Sequence, residues 1–347
     1  MQLRVINLGS VSPLKSQSVY HGIAHAMRAG DAPVLVLCSP GRPYLSVGMH
    51  QQAELEFDLQ RCKAHNLSII PRQTGGGCVL LDQQQLFFQF IFHRSIAPTT
   101  ANELYPRLLQ PIIDCYQHIG IAAQQIGLTD LQVGGKKITG SGAASIGEAT
   151  VLVGNFIHAF DARLMANVIH APSDEYRQLF AEQLQQRMTS IQQQGKSVDN
   201  ATLIAKLHHQ IPQRLGLTPI SSELTQREQH EIMLMEQELL EDSEWQISKK
   251  LVSHGIKICA HTYVTERVAT IAGNALRCLL LQQTHKIIIA YLFVNQDRQH
   301  ALETSFHHCA LNGEQLRSYL QQADQELHPY AEHFIELLLQ SRIDPAI

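Results

Sequence analysis

One tryptophan, Trp245, stands in 347 residues, and aromatic side chains make up only 6% of the chain. Positive charge is also in short supply: 27 Lys and Arg against 31 Asp and Glu give a formal net charge of −4. No Lys/Arg cluster or stripe breaks that balance, which excludes a general nucleic-acid surface. Long apolar runs are missing too. The longest, residues 287–294, has eight residues, where a helical bilayer span needs about 20. The start, Met1-Gln2-Leu3-Arg4-Val5-Ile6-Asn7, lacks the apolar centre of a signal peptide. Seven cysteines occur, an odd number, and none is arranged as Cys-x-x-Cys. That argues against a disulfide framework and a zinc knuckle, and for reduced thiols in a soluble cytoplasmic protein. His208-His209 and His307-His308 are sequence neighbours that face different ways, so no histidine metal site is expected.

What is present is an ordinary globular balance, 44% apolar and 17% charged, in a chain long enough for one large domain and a smaller one. Residues 5–8, 34–37, 44–47, 67–70, 85–92, Ile138 and 151–157 read as strands from their β-branched and aromatic content. Helical spacing marks residues 16–28, 57–65, 102–119, 174–194 and 199–215. Strands with short links outnumber helices in the first half, so we expect a mixed β-sheet with helices packed on it. Gly216-Leu217-Thr218-Pro219-Ile220-Ser221-Ser222 reads as the linker between domains. Beyond it, Thr225 and Glu228 form a capping box for a helix reaching about residue 240. Strands at 257–260, 268–271, 276–281 and 287–294 and helices at 312–322 and 330–341 complete a smaller α+β domain.

Two segments carry the chemistry. In Arg72-Gln73-Thr74-Gly75-Gly76-Gly77-Cys78-Val79-Leu80-Leu81-Asp82, three glycines let backbone N–H groups approach a ligand that a Cβ would block. Arg72 adds a permanent cation with a planar fork suited to carboxylate or phosphate. In Asp130-Leu131-Gln132-Val133-Gly134-Gly135-Lys136-Lys137-Ile138-Thr139-Gly140-Ser141-Gly142, lysine opens a β-like stretch followed by small residues. Together they describe a site for an anionic ligand. Cys78, in a small-residue slot beside the glycines, reads as a packing thiol.

These segments resemble the lipoate–protein ligase family, within the biotin/lipoate ligase and octanoyltransferase superfamily. The Arg-x-Ser/Thr-Gly-Gly-Gly-x-Val-x-x-Asp signature is matched by Arg72, Thr74, Gly75, Gly76, Gly77, Val79 and Asp82. Gly135, Lys136, Lys137, Ile138, Gly140 and Ser141 match the Gly-Arg/Lys-Lys-Ile-x-Gly-Ser signature. Further matches run in family order: Gly127-Leu128-Thr129-Asp130, then Val153-Gly154-Asn155-Phe156-Ile157, then Gln186-Arg187-Met188-Thr189-Ser190-Ile191. Some family residues are replaced. Leu81 stands for the usual His, Gln84-Gln85 for Gly-Asn, Pro71 for a second arginine and Met49-His50-Gln51 for Arg-Gln-Asn. The stretch Leu81-Asp82-Gln83-Gln84-Gln85-Leu86-Phe87 is similar to a divergent branch serving specialised lipoyl-carrying proteins.

The resemblance implies a catalytic domain over residues 1–218 and an accessory domain over 225–347. It implies attachment of lipoate, through lipoyl-AMP, to the ε-amine of a lysine on a lipoyl-domain acceptor, with ATP and Mg2+. Lys137 takes the catalytic role; Arg72, Thr74, Gly75, Gly76, Gly77, Val79, Asp82, Gln85, Asp130, Gly140 and Gly154 bind substrate or ATP. Asp82 and Asp130 are the acidic candidates for magnesium–phosphate or nucleoside contacts, and Gln85 for the polar contact of the family's Asn. The alternatives are an ATP-independent octanoyl or lipoyl transferase and a non-catalytic lipoate-binding module, with biotin as a lesser variant of the acid. The transferases use a cysteine upstream of the lysine segment or in the strand after it; residues 119–128 contain none, and the strand reads Ile138-Thr139-Gly140-Ser141.

Overall fold

The computed structural model describes residues 1–241, 255–283, 286–295, 297–299, 309–310, 313–321 and 325–340. Trp245 and His307-His308 lie outside the described residues. The chain opens with β1 (Gln2–Val11) and α1 (Pro13–Ala26). Ser12 caps α1 by accepting from Lys15 N at 3.1 Å, and Pro13 presets its first turn. Then come β2 (Val34–Pro40), β3 (Tyr44–Gly48), the short α2 (Ala53–Glu56) and α3 (Leu59–Ala64), β4 (Ile69–Arg72), β5 (Val79–Leu81) and β6 (Gln85–His93). After α4 (Ala101–His118), three short strands form a small antiparallel sheet: β7 (Gln124–Ile126), β8 (Asp130–Val133) and β9 (Lys136–Thr139). They lead into β10 (Ser141–Ile146), β11 (Ala149–Ile157), α5 (Ala162–Val168), α6 (Asp174–Arg187), α7 (Asn200–Leu215), β12 (Thr218–Ser221) and α8 (Gln226–Glu241).

The main sheet has the order β10-β11-β6-β2-β1-β12. β1 pairs in parallel with β2 and β12, whereas β2–β6, β6–β11 and β10–β11 are antiparallel, so the sheet is mixed, as expected. Every residue of β2 and β6 is buried, because both faces are covered. One face packs Leu35, Phe88, Phe90, Leu152 and Phe156 against Leu108 and Ile112 of α4 and Leu203 and Leu207 of α7. The other packs Val34, Val36, Ile91 and Val151 against Val19, Tyr20 and Ile23 of α1, with Ile232 of α8 behind them. A second, three-stranded sheet, β4-β3-β5, carries the glycine segment between β4 and β5.

Residues 216–222, read as a linker, contain β12. Pro219 tolerates the edge position, where no ladder hydrogen bond is demanded of its nitrogen, and the strand's register on β1 runs from Gln2↔Thr218 to Val5↔Ser221. The helix expected to reach residue 194 ends at Arg187. Its continuation is drawn into tertiary bonds instead: Thr189 N donates to Lys137 O and Ile191 N to Ile157 O, each at 2.8 Å. The capping box is present, with Thr225 N donating to Glu228 Oε2 at 2.7 Å and Glu228 N to Thr225 Oγ1 at 3.2 Å.

Contacts cluster into two compact units that interleave along the chain. The first comprises Met1–Glu54, Leu59–Met165 and Gln185–Ile247, and includes α8 packed on α1. The second comprises Leu55–Asp58, Ala166–Leu184 and Ser248–Ile347. Its antiparallel sheet is built from β13 (Ile256–Cys259), β14 (Thr262–Ile271), β15 (Asn274–Gln283), β16 (Lys286–Val294) and β17 (Asp297–Gln299), with β18 (Cys309–Ala310) also pairing to β16. Leu280, Ile287 and Leu292 of that sheet bury α9 (Gly313–Gln321) and α10 (Ala331–Leu339) through Leu316, Leu320, Phe334 and Leu338.

Candidate active site

A cavity of about 150 Å³ opens in the first unit, where the turn after β4, the inner ends of β6 and β11, and the start of β10 meet α1. Arg72, Thr74, Gly75, Gly76, Gly77, Val79, Lys137, Gly140 and Gly154 line it, so nine residues singled out from the sequence converge on one space. Asp82, Gln85 and Asp130 do not line it, and each sits behind a residue or turn nearby.

The glycine turn is held from beneath. Arg72 Nη2 donates to Gly77 O at 2.6 Å and Gly75 O at 3.2 Å, and Nη1 reaches Ser46 Oγ at 3.4 Å. The guanidinium therefore braces the loop through its carbonyls, leaving the peptide N–H groups free to serve a ligand. Gly76 has φ +106°, a conformation side chains avoid, and a Cβ there would lie 3.1 Å from Arg72 Nη2. Burial lowers the Arg72 pKa while Tyr20, Cys78 and Tyr44 oppose that shift. Tyr20 is fully buried beside it; burial raises its phenol pKa well above normal, offset by the Arg72 charge and a hydrogen bond with Thr74.

Lys137 leaves β9 with its Nζ 2.7 Å from Asp130 Oδ1. Asp130 is 6% exposed at its side chain and also accepts from Thr129 Oγ1 at 3.2 Å, so a buried carboxylate fixes the ammonium. Ser141 Oγ ties the same hairpin by donating to Thr129 O at 2.5 Å. The backbone of Lys137 is anchored separately through Thr189 N.

Gln85 acts through a relay. Its Oε1 accepts from Asn155 Nδ2 at 2.6 Å, and Asn155 Oδ1 accepts from Gly140 N at 3.1 Å, which sets the strand end at the cavity wall. Asp82 closes the β5–β6 turn, accepting from Gln84 N at 2.9 Å. Its carboxyl pKa is raised by burial, with hydrogen bonds from Gln84 and Gln85 pulling the other way.

Sequence reasoning missed Gln17 and Tyr20 on α1, Phe87 and Gln89, and assigned no binding role to Leu81, Ser141, Gly142, Val153 and Asn155, all of which line the cavity. Strand alternation offered a route to two of them, since Phe87 and Gln89 share a face with Gln85. No described cysteine lines the cavity. Cys78 is 6% exposed, and burial pushes the Cys38 and Cys115 thiols up to about 12. Among the described residues, no group of three or more His, Cys, Asp and Glu is arranged to hold a metal ion, and no helix is long and apolar enough to cross a membrane.

The lipoyl protein ligase A/B catalytic domain matches residues 13–211. The octanoyltransferase LipM of Brevibacillus brevis is 23% identical over 215 residues, covering 55% of this chain and 78% of LipM. Lipoate–protein ligase 1 of Staphylococcus aureus is 25% identical over 159 residues, covering 44% of this chain and 45% of the ligase. Among solved structures, the bipartite lipoate protein ligase of Thermoplasma acidophilum superposes with a TM-score of 0.66 at 20% identity, covering 73% of this chain and all of that one. A lipoate-protein ligase A bound with ATP superposes at 0.61 and 20% identity, covering 71% and 98%. With more than half of its length matched, and with that fold, the chain belongs to the lipoyl protein ligase A/B catalytic domain family, whose members attach lipoyl or octanoyl groups.

Proposed function

We propose that this chain is an ATP-dependent lipoate–protein ligase, joining lipoate through lipoyl-AMP to a lysine ε-amine on a lipoyl-domain acceptor. One observation carries the choice between ligase and transferase: Lys137 lines the cavity and no described cysteine does. A cysteine-based transferase holds its acyl group as a thioester, and the buried thiols here, with raised pKa values, are poor nucleophiles. In place of a thioester, the acid is activated by adenylyl transfer from ATP.

In this reading the acid's carboxylate attacks the α-phosphorus and pyrophosphate leaves; the acceptor amine next attacks the acyl carbon and AMP leaves. Both steps build negative charge on oxygen, which Lys137 and the N–H groups of Gly75, Gly76 and Gly77 are set to stabilise. Asp130 keeps the Lys137 ammonium oriented, and Arg72 keeps the loop open. Val79, Leu81, Phe87 and Val153 supply an apolar wall for the acyl chain. Magnesium fits as a companion of the triphosphate, whose oxygens and waters satisfy it without a protein cage; it would neutralise charge on the departing pyrophosphate.

The test is the intact mass of an apo lipoyl domain incubated with the protein, lipoate and Mg-ATP. A lipoyl increment that requires ATP supports the ligase. Modification from an octanoylated carrier without ATP would instead make it a transferase, and a ligand-binding but inert protein would make it a binding module.

A further inference from the structure

One imidazole reaches the glycine turn from α1. The carbonyls of that turn are held elsewhere: Arg72 takes Gly75 O and Gly77 O, and Met49 N donates to Thr74 O at 3.4 Å. His21, 0% exposed, accepts at its Nε2 from Gln73 N at 3.4 Å. Gln73 lies between the bracing Arg72 and the cavity-lining Thr74. A backbone N–H can only donate, so Nε2 is the bare nitrogen and the proton of the neutral ring sits on Nδ1. Burial, with the charge of His25 adding to it, pushes the pKa down to about 3, so the ring keeps that neutral form. Nδ1 is buried without a hydrogen bond. A buried donor left unmade is a cost to the fold that an aliphatic side chain of similar length would avoid. The ring also packs edge-on to Tyr20, with centroids 4.2 Å apart, a contact open to any apolar side chain. What the imidazole alone provides is the acceptor for Gln73.

We propose that His21 is a positioning residue: by accepting the Gln73 N–H it fixes the peptide that leads into the glycine turn, and so the direction in which the N–H groups of Gly75, Gly76 and Gly77 face the nucleotide phosphates. The proposal rests on the reading of that turn as the phosphate cradle. Its support is firm. A Cβ on the adjacent Gly22 would lie 2.4 Å from Ile232 N, so α8 sits directly against the α1 backbone and limits its movement. Tyr20, the other neighbour, hydrogen-bonds with Thr74. Without the acceptor the Gln73 peptide is free to rotate, and the glycines after it, which lack side chains to resist, follow. Small misplacements of binding groups cost rate even where no contact to the ligand is removed.

The experiment compares His21→Met and His21→Gln in the full chain, by thermal unfolding and by kcat/KM for ATP in lipoate-dependent modification of an apo lipoyl domain. Glutamine can offer its Oε1 as an acceptor; methionine has the length without one. We expect His21→Met to lose roughly tenfold in kcat/KM, about 1.4 kcal/mol, and His21→Gln to recover most of it. Glutamine buries an amide, so the more active variant should have the lower Tm of the two. A packing role predicts the apolar variant to be both more stable and more active, and that order overturns the proposal. Equal losses in the two variants, or native kcat/KM in His21→Met, overturn it as well. Ring 15N spectra of the native chain, with His21 assigned through its backbone, should show a bare Nε2 and a protonated Nδ1 at neutral pH. A protonated Nε2 overturns the proposal even if neither variant folds. A native chain that modifies the acceptor without ATP sinks the cradle reading itself, and this proposal with it.

Discussion

Two glycine-to-alanine changes in the same cavity should behave oppositely. At Gly154 an added Cβ would lie 2.4 Å from Phe88 Cζ and 2.8 Å from Gly140 O. Neither neighbour can yield cheaply. Phe88 is fully buried between Phe90 and Phe156, with ring centroids at 6.2 and 5.6 Å, and β10 is fastened to β11 by the Ser141↔Gly154 pair itself. Overpacking of this kind costs about 1–3 kcal/mol, which lowers Tm by roughly 2–12 °C at about 2–4 °C per kcal/mol for a unit of this size. At Gly75 an added Cβ meets no atom within 4 Å. Gly75→Ala should keep its stability within about 0.5 kcal/mol, yet place a methyl group where the proposed phosphate would lie. Thermal unfolding of both variants, with kcat/KM for ATP measured on Gly75→Ala, separates packing from binding. A native Tm in Gly154→Ala would refute the packing argument. Undiminished kcat/KM in a folded Gly75→Ala would refute the glycine cradle.

Lys137→Ala should lower the Tm, because it leaves the buried Asp130 carboxylate without its ammonium, and the folded variant should lose on the order of a hundredfold or more in turnover, the scale of removing one oxyanion donor; a loss below tenfold contradicts its role. Asp130→Asn should lower turnover by less than Lys137→Ala while keeping the fold, and rates equal to the native enzyme would remove Asp130 from the account. His21, held down at about 3 by burial and secondarily by the charge of His25, has a folded pKa below its ordinary 6.5. The unfolded chain therefore takes up a proton that the folded chain refuses. Stability from this group is complete above pH 6.5 and falls as pH drops towards 3, by up to about 1.4 kcal/mol per pH unit. Denaturant unfolding of His21→Gln across that window should show a flatter slope; an identical slope contradicts the assignment. Thr225→Ala should cost about 1 kcal/mol through loss of the α8 cap, read as a lower denaturant midpoint with activity retained.

Much of the candidate site was legible because its residues are local. Arg72 and the three glycines it braces lie within six positions, and Lys137 reaches Asp130 across a hairpin of seven. The rest needs register. Gln85 meets Asn155 only because β6 and β11 pair with Leu86 opposite Phe156, a relation across 70 residues that local composition does not encode. Gln17 and Tyr20 reach the cavity because α1 lies over that sheet face. β12 was hidden for another reason: Thr218-Pro219-Ile220-Ser221 has the composition of a turn, and only its partner β1 makes it a strand. Similarly, residues 188–194 keep helical spacing, but backbone bonds to Lys137 and Ile157 outweigh that propensity.

The most direct test of acid activation at Lys137 is isotope exchange between pyrophosphate and ATP, measured with and without lipoate and without any acceptor protein. The account predicts exchange that requires lipoate and disappears in Lys137→Ala. Acyl transfer from a carrier protein by an enzyme that shows no lipoate-dependent exchange would contradict it.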